Sequence, residues 1–152
     1  MKKSTGPLFL LFLLSLTIWA ACNKSSSSPS RATLITQSVW RYDTSGIDLN
    51  KDGIVDIGDT TVTVCEKQYT YLFNKDSTGV LTAGAVKCDP SDPQTTNFTW
   101  SLTNNQTVLT ASVNPLLSGG VNILSLDQNK FVVYKDTTLL GTSFRYLISL
   151  KH

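Results

Sequence analysis

The sequence has one histidine, His152, and one glutamate, Glu66, among its 152 residues. Serine or cysteine nucleophiles that rely on a histidine base, and zinc sites built on several histidines, are therefore not expected. Because the last residues of a domain are often poorly ordered, we expect His152 to take no part in a site. The acidic residues concentrate in one segment, which argues against a pair of catalytic carboxylates. We predict that the protein is not an enzyme.

Charge of either sign is also scarce. Only 16% of the residues are charged, with 13 Lys and Arg against 11 Asp and Glu. Two of the basic residues, Lys2 and Lys3, lie in the predicted leader, so the rest of the chain carries equal numbers of the two signs. Nucleic-acid binding requires clustered Lys and Arg that displace counterions from phosphates. The composition excludes that class of function.

The N-terminal residues 1–21 have the pattern of a secretory signal peptide. A basic start at Lys2 and Lys3 precedes an apolar run from Pro7 to Ala21. This run is shorter than the roughly 20 residues that span a bilayer, and a small-residue site follows it. We therefore predict export from the cytoplasm.

The residues around the end of the leader indicate lipidation. Ala20-Ala21-Cys22 resembles a bacterial lipobox, in which the cysteine is acylated after cleavage. Residues 22–31 are rich in serine and are expected to form a flexible tether. We predict a lipid-anchored protein of the cell envelope, attached through Cys22 to the outer membrane, with a folded domain over residues 32–152. The alternative is ordinary cleavage that leaves Cys22 as a free thiol.

The other two cysteines form an even pair. With Cys22 assigned to lipid, Cys65 and Cys88 remain, and an oxidising compartment favours a disulfide between them. Closing a loop of that length stabilises a fold by roughly 3 kcal/mol in the chain-entropy model. Two buried free thiols are the alternative.

Beyond the tether, apolar and polar residues alternate with the period of β-strands, and no long segment has helical periodicity. Eight antiparallel strands joined by short turns can close into a barrel or divide into a two-sheet sandwich, and the strand count alone allows both. The eight predicted strands are residues 38–43, 68–73, 78–84, 97–102, 107–112, 120–126, 130–135 and 142–150.

Two parts of this strand pattern resemble a known family. Ser38-Val39-Trp40 resembles the Gly-x-Trp signature of lipocalins and related calycins, and Arg145 resembles the arginine of their last strand. With the lipobox, Cys88-Asp89-Pro90 and Trp100-Ser101-Leu102, the layout is similar to lipocalin-like lipoproteins of the Bacteroidetes. The resemblance implies an all-β, eight-stranded antiparallel up-and-down barrel in which Arg145 lies across Trp40. Otherwise Trp40, Trp100 and Phe144 are core residues of another β-domain.

One segment between the first two predicted strands has the spacing of a calcium loop. Counted from Asp48, oxygen-bearing side chains occupy positions one, three, five, nine and twelve, with Gly53 at the sharp turn and a backbone carbonyl at position seven. Asp59 replaces the usual glutamate, and Thr60-Thr61-Val62-Thr63-Val64 favours a strand over a helix. The alternative is a turn held by its own hydrogen bonds, without metal. The predicted calcium ligands are Asp48, Asn50, Asp52, Ile54, Asp56 and Asp59.

Two functions from different classes fit these observations. The first is a binding protein that holds a small apolar molecule inside the barrel, with Ala83, Gly84 and Ala111 as small inward-facing residues. The second is a ligand-free structural or protein-interaction module of the cell envelope, with its interior filled by side chains. A hydrolase would need a catalytic centre without histidine and ranks last.

Overall fold

Short alternating segments form strands throughout the described part of the chain. The computed structural model describes residues 28–113, 117, 119–139 and 141–152, so the predicted signal peptide, Cys22 and most of the tether lie outside the described residues. No helix within these ranges is long and apolar enough to cross a membrane. The elements are α1 (Arg31–Ile35), β1 (Val39–Asp48), β2 (Ile57–Gly58), a 3-10 turn (Glu66–Gln68), β3 (Thr70–Phe73), β4 (Thr78–Thr82), β5 (Thr95–Thr103), β6 (Val108–Ala111), β7 (Val121–Leu126), β8 (Lys130–Leu139) and β9 (Thr142–Lys151).

The strands form one antiparallel sheet that closes on itself. From β3 to β9, each strand pairs with its neighbours in chain order, β3 pairs with β1, and β9 also pairs with β1. The closing pair runs from Arg41 opposite Lys151 to Asp48 opposite Arg145. Eight strands therefore form a ring, and β2 attaches only to the end of β1. The prediction of an all-β, up-and-down antiparallel fold is confirmed, and the closed ring excludes an open two-sheet sandwich.

The structure differs from the sequence prediction at short elements. The segment Thr60 to Val64, which favours a strand by composition, is not one. Its backbone N–H groups are taken by nearby side chains: Asp59 accepts from the N–H of Thr61 at 2.7 Å, and Glu66 accepts from that of Thr63 at 2.8 Å. Such local side-chain bonds compete with the hydrogen bonds of a sheet.

Aromatic side chains fill much of the ring. Phe73 contacts Phe98 and Trp100 edge to face, with ring centroids 5.4 and 5.5 Å apart. Each large side chain that is removed from water in this way contributes about 1.5–3 kcal/mol. The buried cluster comprises Ile35, Trp40, Tyr71, Phe73, Leu81, Phe98, Trp100, Leu109, Ala111, Val113, Leu117, Val121, Ile123, Phe131, Val133, Ile148 and Leu150.

One end of the ring, which we call the closed end, is covered by α1. Ser30 caps this helix by accepting a hydrogen bond from the N–H of Thr33 at 3.1 Å. Leu34 and Ile35 are buried, and the Ile35 carbonyl accepts from Trp40 Nε1 at 2.9 Å. Because α1 leads directly into β1, it lies where β1 begins and β9 ends.

The opposite end, which we call the open end, is formed by loops. Here β1 ends, β3 begins, and β4 and β6 end. The disulfide between Cys65 and Cys88 joins the segment before β3 to the β4–β5 connection, with 5.1 Å between the two Cα atoms. The predicted disulfide is confirmed. It holds together the loops that flank the paired strands β3 and β4 at this end.

Candidate ligand-binding cavity

A cavity of about 310 Å³ lies at the open end, and we call it the mouth cavity. Its walls come from the ends of β3, β4, β5 and β6 and from the β4–β5 connection. This volume is at the lower limit of the roughly 300–1,000 Å³ that small-molecule sites occupy. The lining residues are Tyr69, Leu81, Ala83, Lys87, Cys88, Asp92, Pro93, Thr96, Ser112 and Val113.

The cavity wall is part apolar and part polar. Leu81 and Val113 are buried members of the core cluster and form the apolar part. Lys87 donates from Nζ to the Asp92 carbonyl at 2.6 Å, which closes the β4–β5 connection on one side. The wall therefore offers an apolar surface below and hydrogen-bonding groups at the rim, the usual arrangement of a small-molecule site.

Tyr69 stands at the rim beside the disulfide. Its hydroxyl donates to Cys88 Sγ at 3.3 Å. Burial raises the pKa of Tyr69, and the charges of Asp92 and Glu66 raise it further. The phenol is therefore neutral at physiological pH.

Of the three small residues predicted to face inward, one lines the mouth cavity. Ala83 is part of the wall, whereas Ala111 is buried in the core cluster. Gly84 lies against the side chain of Gln68, where a Cβ atom would overlap it. A second and more open depression of about 400 Å³ lies over β4 and β5, and most of its lining residues are polar.

The Asp-rich loop follows β1 and folds back over the outer face of the sheet. A shallow cleft brings Ile54 and Val55 beside Val132 and Leu147. Both of the latter are buried although they face outward from the ring. A Cβ atom at Gly46 would overlap the Val55 side chain, so glycine permits this close approach. The loop therefore acts as a cover for the outside of β1, β8 and β9 rather than as a wall of the mouth cavity.

The predicted calcium ligands Asp48, Asn50 and Asp52 accept hydrogen bonds from backbone N–H groups of their own loop. Asp48 is fully buried, and its two carboxylate oxygens accept from the N–H groups of Asp52 at 3.1 Å and Gly53 at 2.9 Å. Asp52 accepts from the N–H of Ile54 at 2.8 Å, and Asn50 accepts from the N–H of Asp52 at 3.1 Å. These bonds explain the turn, with Gly53 at φ 90° in the left-handed region.

The far side of the same loop is held by Asp56. Its carboxylate accepts from the Leu49 N–H at 2.7 Å, which ties the two ends of the loop together. Within the described ranges, no three His, Cys, Asp or Glu side chains are grouped closely enough to hold a metal ion.

Asp59 lies apart from the other predicted ligands. Its N–H donates to the Ser45 carbonyl at 2.9 Å, and Ser45 precedes Asp48 by three residues, or roughly 10 Å along a strand. The Asp59 carboxylate instead accepts from the hydroxyls of Thr61 and Tyr146. Burial alone would raise the pKa of Asp59, but these hydrogen bonds outweigh it and hold the pKa below its ordinary value. The structure therefore does not bring Asp59 together with the other predicted ligands, and calcium binding by this loop stays a prediction.

The predicted contact between Trp40 and Arg145 is wrong. Arg145 lies opposite Asp48, eight residues along β1 from Trp40, which corresponds to about 25 Å. Its guanidinium lies 3.8 Å from the ring centroid of Tyr134, and its Nε lies 3.4 Å from Asp136 Oδ1. The reason is topological: Arg145 is near the start of β9, and antiparallel pairing puts that start beside the end of β1.

His152 occupies the place beside Trp40 that was predicted for Arg145. The two rings are 3.8 Å apart between centroids and tilted by 31°. His152 Nδ1 also lies 2.9 Å from the Val39 carbonyl. The expectation that His152 is frayed is therefore corrected. It packs on the closed end and is remote from the mouth cavity.

Comparison with known proteins agrees with this geometry. A family model described as a lipocalin-like domain matches residues 35–133. The chain belongs to the lipocalin-like domain family. Among the curated proteins, none matches this chain. Lipocalin-like proteins are typically binding proteins rather than enzymes, and their fold is compatible with holding a small hydrophobic molecule.

Sequence reasoning missed one residue of this lipocalin-like interior. Tyr71 is fully buried, and its hydroxyl has no hydrogen-bond partner within the described residues. The alternation of Tyr69, Tyr71 and Phe73 placed all three on one face of a strand, but no local pattern distinguishes a satisfied phenol from an unsatisfied one.

Proposed function

We propose that this lipocalin-like protein is anchored to the membrane by lipid and binds a small apolar molecule in the mouth cavity. The observation that carries the proposal is the cavity of about 310 Å³ at the end of the ring that α1 leaves uncovered. Leu81, Ala83 and Val113 give it an apolar wall. The family model supports the same class of function.

The lack of histidine-based chemistry extends the proposal to a non-enzymatic role. The titratable residues that line the cavity are Tyr69, Lys87 and Asp92. Lys87 donates a hydrogen bond to a backbone carbonyl and not to a nucleophilic side chain. Tyr69 donates one to a disulfide sulfur. The proposed task is to bind and release a molecule without changing it.

The fit of the cavity is tested with the neutral fluorescent probe N-phenyl-1-naphthylamine. We would measure its binding to the full chain held in an amphipol, with protein-free amphipol as the blank. Ala83→Trp places a large side chain in the cavity wall and should abolish saturable binding. Thr110→Trp is the matched control, because Thr110 is exposed on β6. Equal binding by the two variants would place the probe elsewhere and contradict the proposal.

A lipid anchor at Cys22 is the second part of the proposal. It is supported by Ala20-Ala21-Cys22 in the sequence and by the serine-rich stretch that follows it. Metabolic labelling with an alkynyl fatty acid should label the wild-type protein and not Cys22→Ser. Labelling of both would contradict it.

A calcium ion in the Asp-rich loop is the third part of the proposal. The loop supplies Asp48, Asn50, Asp52, Asp56 and the Ile54 carbonyl, and calcium takes six to eight oxygen ligands, with water completing the set. A bound cation would also reduce repulsion among the carboxylates.

The calcium proposal is tested by thermal unfolding with and without the ion. Calcium should raise the melting temperature of the wild type, and Asp52→Asn should remove most of this rise, because it removes one charge and keeps an oxygen for the Ile54 N–H. Asp59→Asn is the matched control and should keep the rise. No effect of calcium on the wild type would refute this part.

A ligand-free role is the second candidate function. Its support is the filled interior: Trp40, Tyr71, Phe73 and Phe131 are all at most 1% exposed. On this account the protein is an interaction module of the envelope. Failure of the probe to bind, together with recovery of a stable protein partner by cross-linking in membranes, would favour it.

A further inference from the structure

A separate cavity of about 300 Å³ lies at the open end, in a different part of the ring from the mouth cavity, and we call it the β2 pocket. Its walls come from the end of β1, from β2 and the residues that follow it, and from the start of β9. The mouth cavity is lined from β3 to β6, so the two cavities have no lining residue in common. The proposed function makes no use of the β2 pocket.

The apolar wall of the β2 pocket belongs to the inner face of the sheet. Ile47 is the register partner of both Ile57 and Tyr146, so these three side chains lie on one face. Tyr146 packs against the core cluster, which identifies this face as the inner one. Phe144 lies on the same face, two residues from Tyr146. All four line the pocket, and Ile57 is still 53% exposed, so part of this wall is open to solvent.

The polar part of the pocket is the Asp59 carboxylate. Its Oδ1 accepts from the N–H and the hydroxyl of Thr61 at 2.7 and 2.6 Å, and its Oδ2 accepts from the Tyr146 hydroxyl. A carboxylate has about four lone-pair positions, so at most about one is left free. The donors are neutral groups, so the carboxylate, which is ionised at neutral pH, keeps its negative charge.

This charge has no cationic partner within the described part of the chain. The ion pairs that the structure describes all involve other carboxylates. Arg145 is next to Tyr146 in sequence, but its guanidinium lies over the ring of Tyr134 on the outer face of the sheet. None of the residues that line the pocket is a lysine or an arginine. The pocket therefore offers a negative charge beside apolar and aromatic side chains.

This combination selects an organic cation without N–H groups. A positive charge is attracted to the face of an aromatic ring as well as to a carboxylate. A primary ammonium brings three N–H donors, of which Asp59 could accept about one, and the others would lose hydration without a partner. A quaternary ammonium has no N–H to satisfy, and its methyl groups can contact the apolar wall.

We propose that the β2 pocket binds a quaternary ammonium group, with its charge beside the Asp59 carboxylate and its methyl groups against Phe144 and Tyr146. The volume is at the lower limit for small-molecule sites, which restricts the ligand to this group and a short attached chain. The inference concerns a different cavity from the proposed function and does not depend on it.

The test compares choline with 3,3-dimethylbutan-1-ol, which has the same shape and a carbon in place of the charged nitrogen. Each is titrated into the full chain, held in a non-ionic amphipol and labelled at its Ile, Leu and Val methyl groups. Choline should shift the methyl signals of Ile47 and Ile57 and bind about threefold or more tightly than the alcohol. Equal or weaker binding by choline, or shifts centred on Leu81 and Val113, would overturn the inference.

Removal of the charge tests the role of the carboxylate. Asp59→Asn keeps an oxygen for Thr61, and the Kd of choline should rise about three- to fivefold while that of the alcohol stays within about twofold. Asp76→Asn is the matched control, because it removes the same charge from a carboxylate that bonds to Thr78 in the β3–β4 turn, at the closed end. Equal weakening by both variants would indicate a general effect of net charge and overturn the inference.

Removal of the aromatic ring tests the other half of the site. Phe144→Leu keeps an apolar side chain, and the Kd of choline should rise about two- to fivefold while that of the alcohol stays within about twofold. Phe144→Tyr keeps an aromatic ring and should retain the wild-type Kd for choline. Equal changes for choline and the alcohol in Phe144→Leu would overturn the contact between the cation and the ring.

A quaternary ammonium group occurs both in free cations and in lipid headgroups. Glycerophosphocholine carries the group next to a phosphate, as a headgroup does, and is titrated in the same way. Tighter binding by choline would support a free cation, and tighter binding by glycerophosphocholine would support a headgroup. If neither shifts Ile47 and Ile57, the inference is overturned, while binding of N-phenyl-1-naphthylamine in the mouth cavity would leave the proposed function intact.

Discussion

The two ends of the ring are built differently. At the closed end, α1 covers the sheet, and Trp40 bonds to Ile35, packs edge to face on Phe131 at 5.4 Å and stacks on His152. At the open end, loops joined by a disulfide surround a cavity, and Val64 and Val86 remain 72% and 55% exposed. The aromatic packing of the closed end and the cavity that we propose for binding are thus separated along the axis of the ring.

The largest effect is expected from a cavity at the closed end. Trp40→Ala removes a fully buried indole and should lower the free energy of unfolding by about 3–5 kcal/mol. Val113→Ala at the open end borders an existing cavity and should cost about 1.5 kcal/mol or less. Urea unfolding of both variants measures the difference. Equal losses of unfolding free energy in the two variants would mean that both ends contribute equally to stability.

Removal of the disulfide should have the next largest effect. Replacing Cys65 and Cys88 together by serine should lower the free energy of unfolding by roughly 3 kcal/mol. Hydrogen exchange should accelerate first in the β4–β5 connection, because the disulfide ties this loop to the segment before β3. Acceleration that begins at α1 would contradict the division into two ends.

The contact between Trp40 and His152 should contribute less. His152→Ala should cost about 0.5–1.5 kcal/mol, the range for an aromatic pair, and should alter the near-ultraviolet circular dichroism of the indole. Arg145→Ala is the control, because Arg145 lies on Tyr134, and the Trp40 signal should not change. A change in the Trp40 signal in Arg145→Ala would instead support the contact between Trp40 and Arg145 that the sequence predicted.

An effect of similar size is expected from the bond between Tyr146 and Asp59. Burial raises the pKa of Tyr146 to about 12, and its bond to Asp59 contributes to the shift. Tyr146→Phe should cost about 0.5–1.5 kcal/mol near neutral pH, since it removes one hydrogen bond to a partly exposed carboxylate.

The same pair gives a pH dependence with a definite sign. Because the pKa of Asp59 is lowered in the folded state, its contribution is present above the ordinary pKa of 3.8 and is lost as the pH falls through the folded value. Unfolding measured between about pH 2 and 6 should therefore show a shallower slope in Tyr146→Phe than in the wild type. Tyr134→Phe is the control, and an identical slope in all three would contradict this account.

The strands could be predicted because the alternation of side chains is a local pattern. The disulfide could be predicted from the number of cysteines. Alternation such as that of Tyr69, Tyr71 and Phe73 reflects the two-residue period of a strand. Pairing of Cys65 with Cys88 follows from assigning Cys22 elsewhere. By contrast, α1 has only five residues, too few to show helical periodicity.

The residue beside Trp40 was not predictable, because it depends on how β9 aligns with β1. That alignment includes a register shift between Tyr42 and Thr44. Asp59 escaped prediction for a similar reason: β2 pairs with β1 and carries position twelve of the loop away from Asp48. Both positions depend on contacts between distant segments, about which the spacing of residues along the chain gives no information.

The separation of stability from binding is tested most directly by methyl NMR. The full chain, labelled at its Ala, Ile, Leu and Val methyl groups, would be titrated with N-phenyl-1-naphthylamine in amphipol. Saturable shifts should appear at Ala83, Leu81 and Val113, whereas Ile35 and Leu150 at the closed end should not move. Saturable shifts centred on Ile35, or none at any of these methyl groups, would contradict the assignment of binding to the open end.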